Sequence, residues 1–321
     1  MMMNWSSIVA EVLRRECAAD GTLAVVTAGG QEETGPDSFI TLGPKHFHAA
    51  QTVPEAVTLS AALAREGRIP ICVLPSSSLL YSLDPMVRTV CMQNLHVVFV
   101  IEGAGLADTD ERNSQGILDL SCLTMIPNLT VMAPKHRFEL ADMLRWALRS
   151  AKGPTAVCCP AGRAYDGLEE FRAPVEYGRW EILYDESDIC LLAAGNMVET
   201  AQKVRDLMKW DGANCSLINC RFLKPMDEET LRIAASEHIL LVTMEENVAA
   251  GGFGEHVVSC LSQSGIHAEV EQITFPDAYM DAGSAQLLRQ QAGIDEQSIL
   301  RRIQTRMIGH IRGKSDWIYF L

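Results

Sequence analysis

A chain of 321 residues, 48% hydrophobic and 21% charged, holds enough material for two globular domains at roughly 150 residues each, and such a composition argues against disorder. With 27 Lys and Arg against 41 Asp and Glu, the formal net charge of −14 opposes broad contact with nucleic acid or with anionic lipid. No apolar run approaches the roughly 20 residues that span a bilayer, and Met1 to Glu16 lacks a signal-peptide layout; the expected location is cytoplasmic, with no membrane partner.

Short runs rich in Val, Ile and Leu alternate with longer segments of helical period, the pattern of parallel sheets covered on both faces. In chain order, a helix is expected from Trp5 to Ala19, then a strand from Leu23 to Thr27. The capping box Thr52-x-x-Glu55, with Pro54 in its first turn, opens a helix over Ala56 to Arg65. A strand at Ile69 to Leu74, a helix near Asp84 to Gln93 and strands at Val97 to Glu102 and Leu129 to Ala133 follow. A helix from Phe138 to Ser150 leads to a strand at Pro154 to Cys159. Periodicity then lapses over Pro160 to Arg179, which holds Gly162, Gly167, Pro174 and Gly178, so a domain boundary is expected near residue 175.

The second half repeats the alternation. Strands are expected at Ile189 to Ala194, Asn214 to Ile218, Ile239 to Met244 and Ala268 to Ile273. Helices are expected at Met197 to Trp210, Asp227 to Ala235 and Gly254 to Gln263, with two more closing the fold near Arg306. The final residues, Trp317 to Leu321, are apolar enough to be expected docked on a core or a subunit. Ten cysteines without a C-x-x-C pair read as buried, reduced thiols rather than as disulfides or zinc ligands.

Motifs by themselves say little about chemistry. Glu245-Glu246-Asn247 before Gly251-Gly252-x-Gly254 places glycines at a helix start, where an anion could bind. Two carboxylates ahead of the turn would repel a phosphate, so a structural turn or a subunit contact is expected. His46 and His48 lack a third metal ligand and read as an exposed loop. Ser76-Ser77-Ser78 follows a strand where α/β folds place ligands. G-x-S-x-G, P-loop and H-E-x-x-H motifs do not occur in the sequence. A ligand site is expected near the loops after Thr27, Leu74 and Glu102.

Several stretches, taken together and in order, carry a resemblance. They are Glu55 to Gly67 (EAVTLSAALAREG), Gly116 to Leu123 (GILDLSCL), Ile126 to Asn128, Met132 to Pro134, Arg221 to Asp227 (RFLKPMD), the Glu245 to Gly254 region and Phe275 to Asp277. The set resembles the C-terminal half of the 1-deoxy-D-xylulose 5-phosphate synthase and transketolase family over most of the chain. The resemblance implies an α/β fold of two doubly wound domains: a thiamine diphosphate pyrimidine-binding domain at 1–175, then a transketolase C-terminal domain at 176–321. It implies thiamine diphosphate as cofactor. The Gly-Asp-Gly that would hold diphosphate and magnesium does not occur in these 321 residues, so the resemblance further implies a transketolase N-terminal-type partner subunit and a homo- or hetero-oligomer.

Carried over position by position, the resemblance also shows departures. The glutamate that activates the pyrimidine falls at Val53, since Glu55 belongs to the capping box. The stacking aromatic falls at Ser78, and the acid–base histidine at Ser114, before a retained Gln115. The arginines that hold a sugar phosphate fall at Tyr81, Gly103 and Ala161, leaving Arg163 or Arg112 as the cations near by. Asp110 and Asp84 are retained. Two readings follow, beside a third in which the chain is a small-molecule binding module unrelated to thiamine. In the first, Val53, Ser78 and Tyr81 line a cofactor pocket while Asp110, Ser114 and Gln115 face a substrate, for transfer of a two-carbon ketol or acyl unit. In the second, the chain is a catalytically silent structural or regulatory homologue. No metal ligand is expected on this chain.

Overall fold

A computed structural model of the chain describes residues 4–28, 37–108 and 115–313. Its strands are β1 (Leu23–Ala28), β2 (Phe47–Ala50), β3 (Ile69–Pro75), β4 (Val98–Ala104), β5 (Thr130–Met132), β6 (Thr155–Pro160), β7 (Glu181–Tyr184), β8 (Ile189–Ala193), β9 (Cys215–Asn219), β10 (Phe222–Lys224), β11 (Leu240–Val248) and β12 (Val270–Phe275). They form a seven-stranded sheet in the order β10-β5-β6-β4-β3-β1-β2 and a five-stranded sheet in the order β12-β11-β8-β9-β7. Both are parallel except at one edge, where β10 and β7 run antiparallel to their neighbours. The central strands are buried along almost their whole length, as sheets covered on both faces require. The fold is two doubly wound α/β layers, as the alternation of runs implied.

Local signals explain the element starts. Asn4 caps the helix Trp5–Ala19 by accepting from Ser7 N at 2.8 Å. The capping box forms at Val53–Arg65: Glu55 N–H donates to Thr52 Oγ1, and the Glu55 carboxylate turns back to accept Gln51 N–H at 2.8 Å. Three short edge strands escaped sequence reading: β2, β7 and β10, of three or four residues each. The first of these corrects the expectation of an exposed loop at His46 and His48. His48 lies in β2, and His46 Nδ1 sits 2.9 Å from Leu23 O. The helix expected over Asp84 to Gln93 is also revised. An α-helix at Leu79–Pro85 gives way to a π-helical turn at Met86–Val90 and a 3₁₀ turn at Cys91–Gln93, since Pro85 supplies no N–H to the helical ladder. Among the described residues, no helix is long and apolar enough to cross a membrane. All ten cysteines are unpaired, eight of them buried. The apolar tail from Trp317 lies outside the described residues.

The two sheets are joined by buried charge. Lys135 Nζ lies 2.5 Å from Glu181 and 3.4 Å from Glu139, and the Arg221 guanidinium lies 2.7 Å and 3.1 Å from the same two carboxylates. All four side chains are at most 4% exposed. Arg221 meets the carboxylates as ion contacts rather than aligned hydrogen bonds, and its Nη1 donates to Ala173 O and Pro174 O. Asn219 Nδ2 bridges both carboxylates, and Ala173 N–H donates to Glu181. Burial alone would push Glu181 up, but Arg221 and Lys135 outweigh it and hold its carboxyl below the ordinary value. The charges balance two against two, which makes a water-poor seam tolerable.

Arg221→Ala strands two carboxylates beside one ammonium and is expected to cost about 3–5 kcal/mol in urea unfolding. Arg221→Met combined with Glu181→Gln restores neutrality and is expected to cost clearly less than Arg221→Ala alone.

Candidate functional site

A cavity of about 430 Å³ opens at the carboxyl ends of β3, β4 and β6, the side of a parallel sheet where ligands bind. Its floor follows from strand register. Pro75 at the end of β3 pairs with Glu102 on β4, which pairs with Cys159 on β6. Beyond Pro75 the chain turns through the 3₁₀ segment Ser76–Ser78, so Ser76 and Ser77 form one wall. The opposite wall comes from the start of the first helix, where Asn4 and Trp5 lie beside Arg163 through an antiparallel bridge. Glu102 closes an apolar strand with a carboxylate that is buried. Gly103 and Ala161 line the same cavity and bring no charge. Among the described residues Arg163 is its one lining cation, with Nη2 3.9 Å from Asp166.

Behind Ser76 lies a second polar junction. Ser76 Oγ donates to Asp119 Oδ2 at 2.6 Å, both side chains being buried. Burial pushes the Asp119 carboxyl up to about 7, against the lowering effect of the Ser76 hydroxyl. Gly116 is required here: a Cβ at that position would meet Ser76 Oγ and would stand 2.7 Å from both Asp119 Oδ2 and Gly103 O. A smaller cavity of about 130 Å³ on the other side of Ser76 is lined by Asp119, Gln115, Leu80 and Tyr279.

The second half of the chain grips the loop that carries these groups. Glu246 accepts Leu106 N–H at 3.1 Å and the Asn196 amide at 2.7 Å, and pairs with Arg289. Asn247 Oδ1 accepts Leu120 N–H at 3.2 Å, Val248 N–H donates to Ile117 O, and Asp108 accepts Ala285 N–H at 2.7 Å. The Glu245-Glu246-Asn247 motif is therefore a structural clasp. Glu245 itself fills the N-terminus of the helix Phe253–Gln263, accepting Phe253 N–H and Gly254 N–H at 2.8 Å each. A carboxylate of the protein occupies the place where an anion might have bound. Burial raises the Glu245 carboxyl to about 7, the two N–H donors opposing it.

The residues singled out from the sequence are dispersed. Val53 is buried as the first residue of its helix. Ser78 is buried in the 3₁₀ turn, and Tyr81 is 75% exposed. None of the three lines either cavity. Gln115 folds its amide back on Ala107, accepting its N–H at 2.9 Å and donating to its carbonyl, which ties together the two ends of the loop. Asp110, Ser114 and Arg112 lie outside the described residues. Asp84 faces solvent in an ion pair with Arg88. Sequence reading missed Trp5, Glu102 and Asp119. A signal existed for Glu102, a lone carboxylate ending the run Val97 to Ile101.

Comparison with known proteins places this geometry among relatives. Residues 1–164 match the transketolase pyrimidine binding domain model and residues 178–299 the transketolase C-terminal domain model. The chain is 37% identical over 283 residues to the 1-deoxy-D-xylulose-5-phosphate synthase of Lachnoclostridium phytofermentans, covering 88% of this chain and 45% of that protein. It is 35% identical over 300 residues to the synthase of Heliobacterium modesticaldum, covering 93% and 46%. The chain thus spans about half the length of the curated relatives it matches. Among solved structures, a split gene transketolase described as an inactive β4 tetramer superposes with a TM-score of 0.84 at 19% identity, covering 95% of this chain and 98% of that one. The transketolase of Campylobacter jejuni gives 0.76 at 14% identity, covering 95% and 47%. At those identities the likeness is one of fold.

Two outcomes are expected from the site's construction. Unfolded, the Asp119 carboxyl ionises near its ordinary 3.8, whereas folded it keeps its proton to about 7; stability therefore falls as pH rises through that window and stays low above it. Asp119→Asn is expected to raise stability at pH 8 by about 2 kcal/mol and to remove its share of the pH slope in thermal melts, leaving that of Glu245. Glu246→Ala is expected to speed amide hydrogen exchange about tenfold or more at Leu106 and its neighbours while leaving β8 and β9 protected.

Proposed function

The chain belongs to the transketolase family, and from that premise we propose that it is the C-terminal component of a thiamine diphosphate-dependent transferase moving a two-carbon ketol or acyl unit. In this reading the diphosphate-binding half and its magnesium come from a separate transketolase N-terminal-type subunit, and the working unit is an oligomer. The observation that carries the reading is the coverage: the chain matches half of each full-length relative but nearly the whole of a split-gene chain.

The cofactor supplies the carbanion chemistry when bound, and this chain fits its pyrimidine only in part. Val53 offers an aliphatic wall and no hydrogen bond, and Glu55 is exposed and engaged by Gln51 N–H. Ser78 brings a hydroxyl rather than a ring to stack. Val53, Ser78 and Tyr81 belong to the cofactor side in this reading, and Asp110, Ser114 and Gln115 to the substrate side. Loss of a positioned acid or base costs about 10² to 10⁴ in rate, so ordinary sugar-phosphate synthesis is not the activity proposed. Val53 favours a second reading, a catalytically silent structural or regulatory subunit.

Calorimetry separates the two. The chain alone is expected to bind no thiamine diphosphate, and a mixture with an N-terminal-type subunit to bind it with magnesium; absence of binding in both overturns the first reading. If binding then appears only in the Val53→Glu, Ser78→Phe double variant, the silent subunit is the correct description.

A further inference from the structure

A basin of about 500 Å³ opens beside β12, the edge strand of the five-stranded sheet. We propose that it binds a phosphate dianion, free or carried on a small ester. The basin belongs to the other sheet from the 430 Å³ cavity and plays no part in the transferase reading. One wall is a single face of the helix Glu296–Gly313, where Ser298, Arg301, Arg302 and Arg306 fall together by helical spacing. Glu271 of β12 forms the floor, and the turn at Gly293 stands opposite.

Arg302 and Arg306, four residues apart on one face, would repel each other. Glu271, 7% exposed, holds them together: Oε1 accepts from Arg302 Nε and Nη2 at 2.8 Å and 2.5 Å, and Oε2 from Arg306 Nε at 2.7 Å. Arg302 Nη2 also donates to Gln272 O. These bonds leave Arg302 Nη1 and both terminal nitrogens of Arg306 without an acceptor among the described residues. Arg301 meets only Ser298 Oγ, at 3.2 Å, and the Ser298 proton is given to no described group. A guanidinium has five N–H donors, so each of the three has several left to offer.

The lining thus sets three guanidiniums against one carboxylate, in a chain whose net charge is −14. Two further carboxylates stand outside the lining: Glu269, which acts on Arg306, and Asp295, which accepts the N–H groups of Gln297 and Ser298. A phosphate dianion has three terminal oxygens and can accept from more than one guanidinium at once. Because Glu271 already orders two of the arginines, little side-chain freedom is lost on binding. A Cβ at Gly293 would meet nothing within 4 Å, which leaves room on that side for the organic part of an ester.

The test titrates the full chain at about pH 8, where phosphate monoesters are dianions, with glycerol 3-phosphate, inorganic phosphate and glycerol. Binding is followed by calorimetry and by phosphorus NMR of the ligand. Glycerol 3-phosphate is expected to bind saturably with Kd about 1 mM or tighter, and glycerol to give no signal. Raising NaCl from about 50 to about 300 mM is expected to weaken binding about fivefold. Inorganic phosphate binding as well as the ester identifies the free ion as occupant, and weaker binding identifies the ester; either supports the site. Arg301→Ala is expected to weaken binding about tenfold with an unchanged thermal melt, and Arg301→Lys to recover most of that loss. No saturable binding of either phosphate, or binding indifferent to Arg301→Ala, overturns the proposal. Thiamine diphosphate also ends in a phosphate, so its calorimetry is repeated on Arg301→Ala. Binding that vanishes there belongs to this basin and binding that persists to the cofactor site, so each proposal can fail without the other.

Discussion

Two cations and two carboxylates, enclosed where water cannot reach them, join the two halves of the molecule. Lys135 and Glu139 come from the connection between β5 and β6, Glu181 from β7, and Arg221 from the link between β9 and β10. None of the four could be buried singly, because an unpaired charge in such a place is prohibitively costly. Their mutual neutralisation makes the arrangement of one sheet on the other a condition of folding for both. The same segment continues the seam: Lys224 caps the carbonyls of Thr124 and Ile126, and Asp227 receives Trp180 N–H while capping the next helix.

From that seam the position of the ligand face follows. Glu246 and Asn247 reach across from β11 to hold Leu106, just beyond β4, and Leu120, in the helix Asp119–Thr124. Gly105, at φ 81°, has no room for a Cβ against Glu246. The scaffold residues of the family are therefore each committed to a physical task. Val53, Gly103 and Ala161, positions the resemblance marks as departures, are not among the residues described in that clasp. Side chains at the cavity could differ without disturbing that frame.

Much of the frame was legible in advance. The long apolar strands and the amphipathic helices announce themselves by period and by capping residues, and β1, β3, β4 and β8 fall within two residues of their expected limits. What escaped was short or distant. Strands of three or four residues at a sheet edge carry too little alternation to read, and the antiparallel pairing of β10 with β5 depends on partners some ninety positions apart. At the site, Ser76 and Ser77 could be placed because strand ends mark ligand faces in this architecture. Trp5 and Asp119 could not, since an aromatic at a helix start and an aspartate among leucines both read as ordinary packing. Glu245 shows the converse: the expectation of a structural turn was sound, but only coordinates reveal that its own carboxylate is the anion on the helix.

The placement of β10 bears on how such a molecule could be dissected. The strand belongs by sequence to the second half and by hydrogen bonding to the first sheet, where it covers the outer side of β5. A truncation made at the apparent linker would strip that cover and leave a row of bare amides and carbonyls, an adhesive margin that invites self-association. A cut placed after Lys224 rather than at the linker would keep that cover on the first sheet.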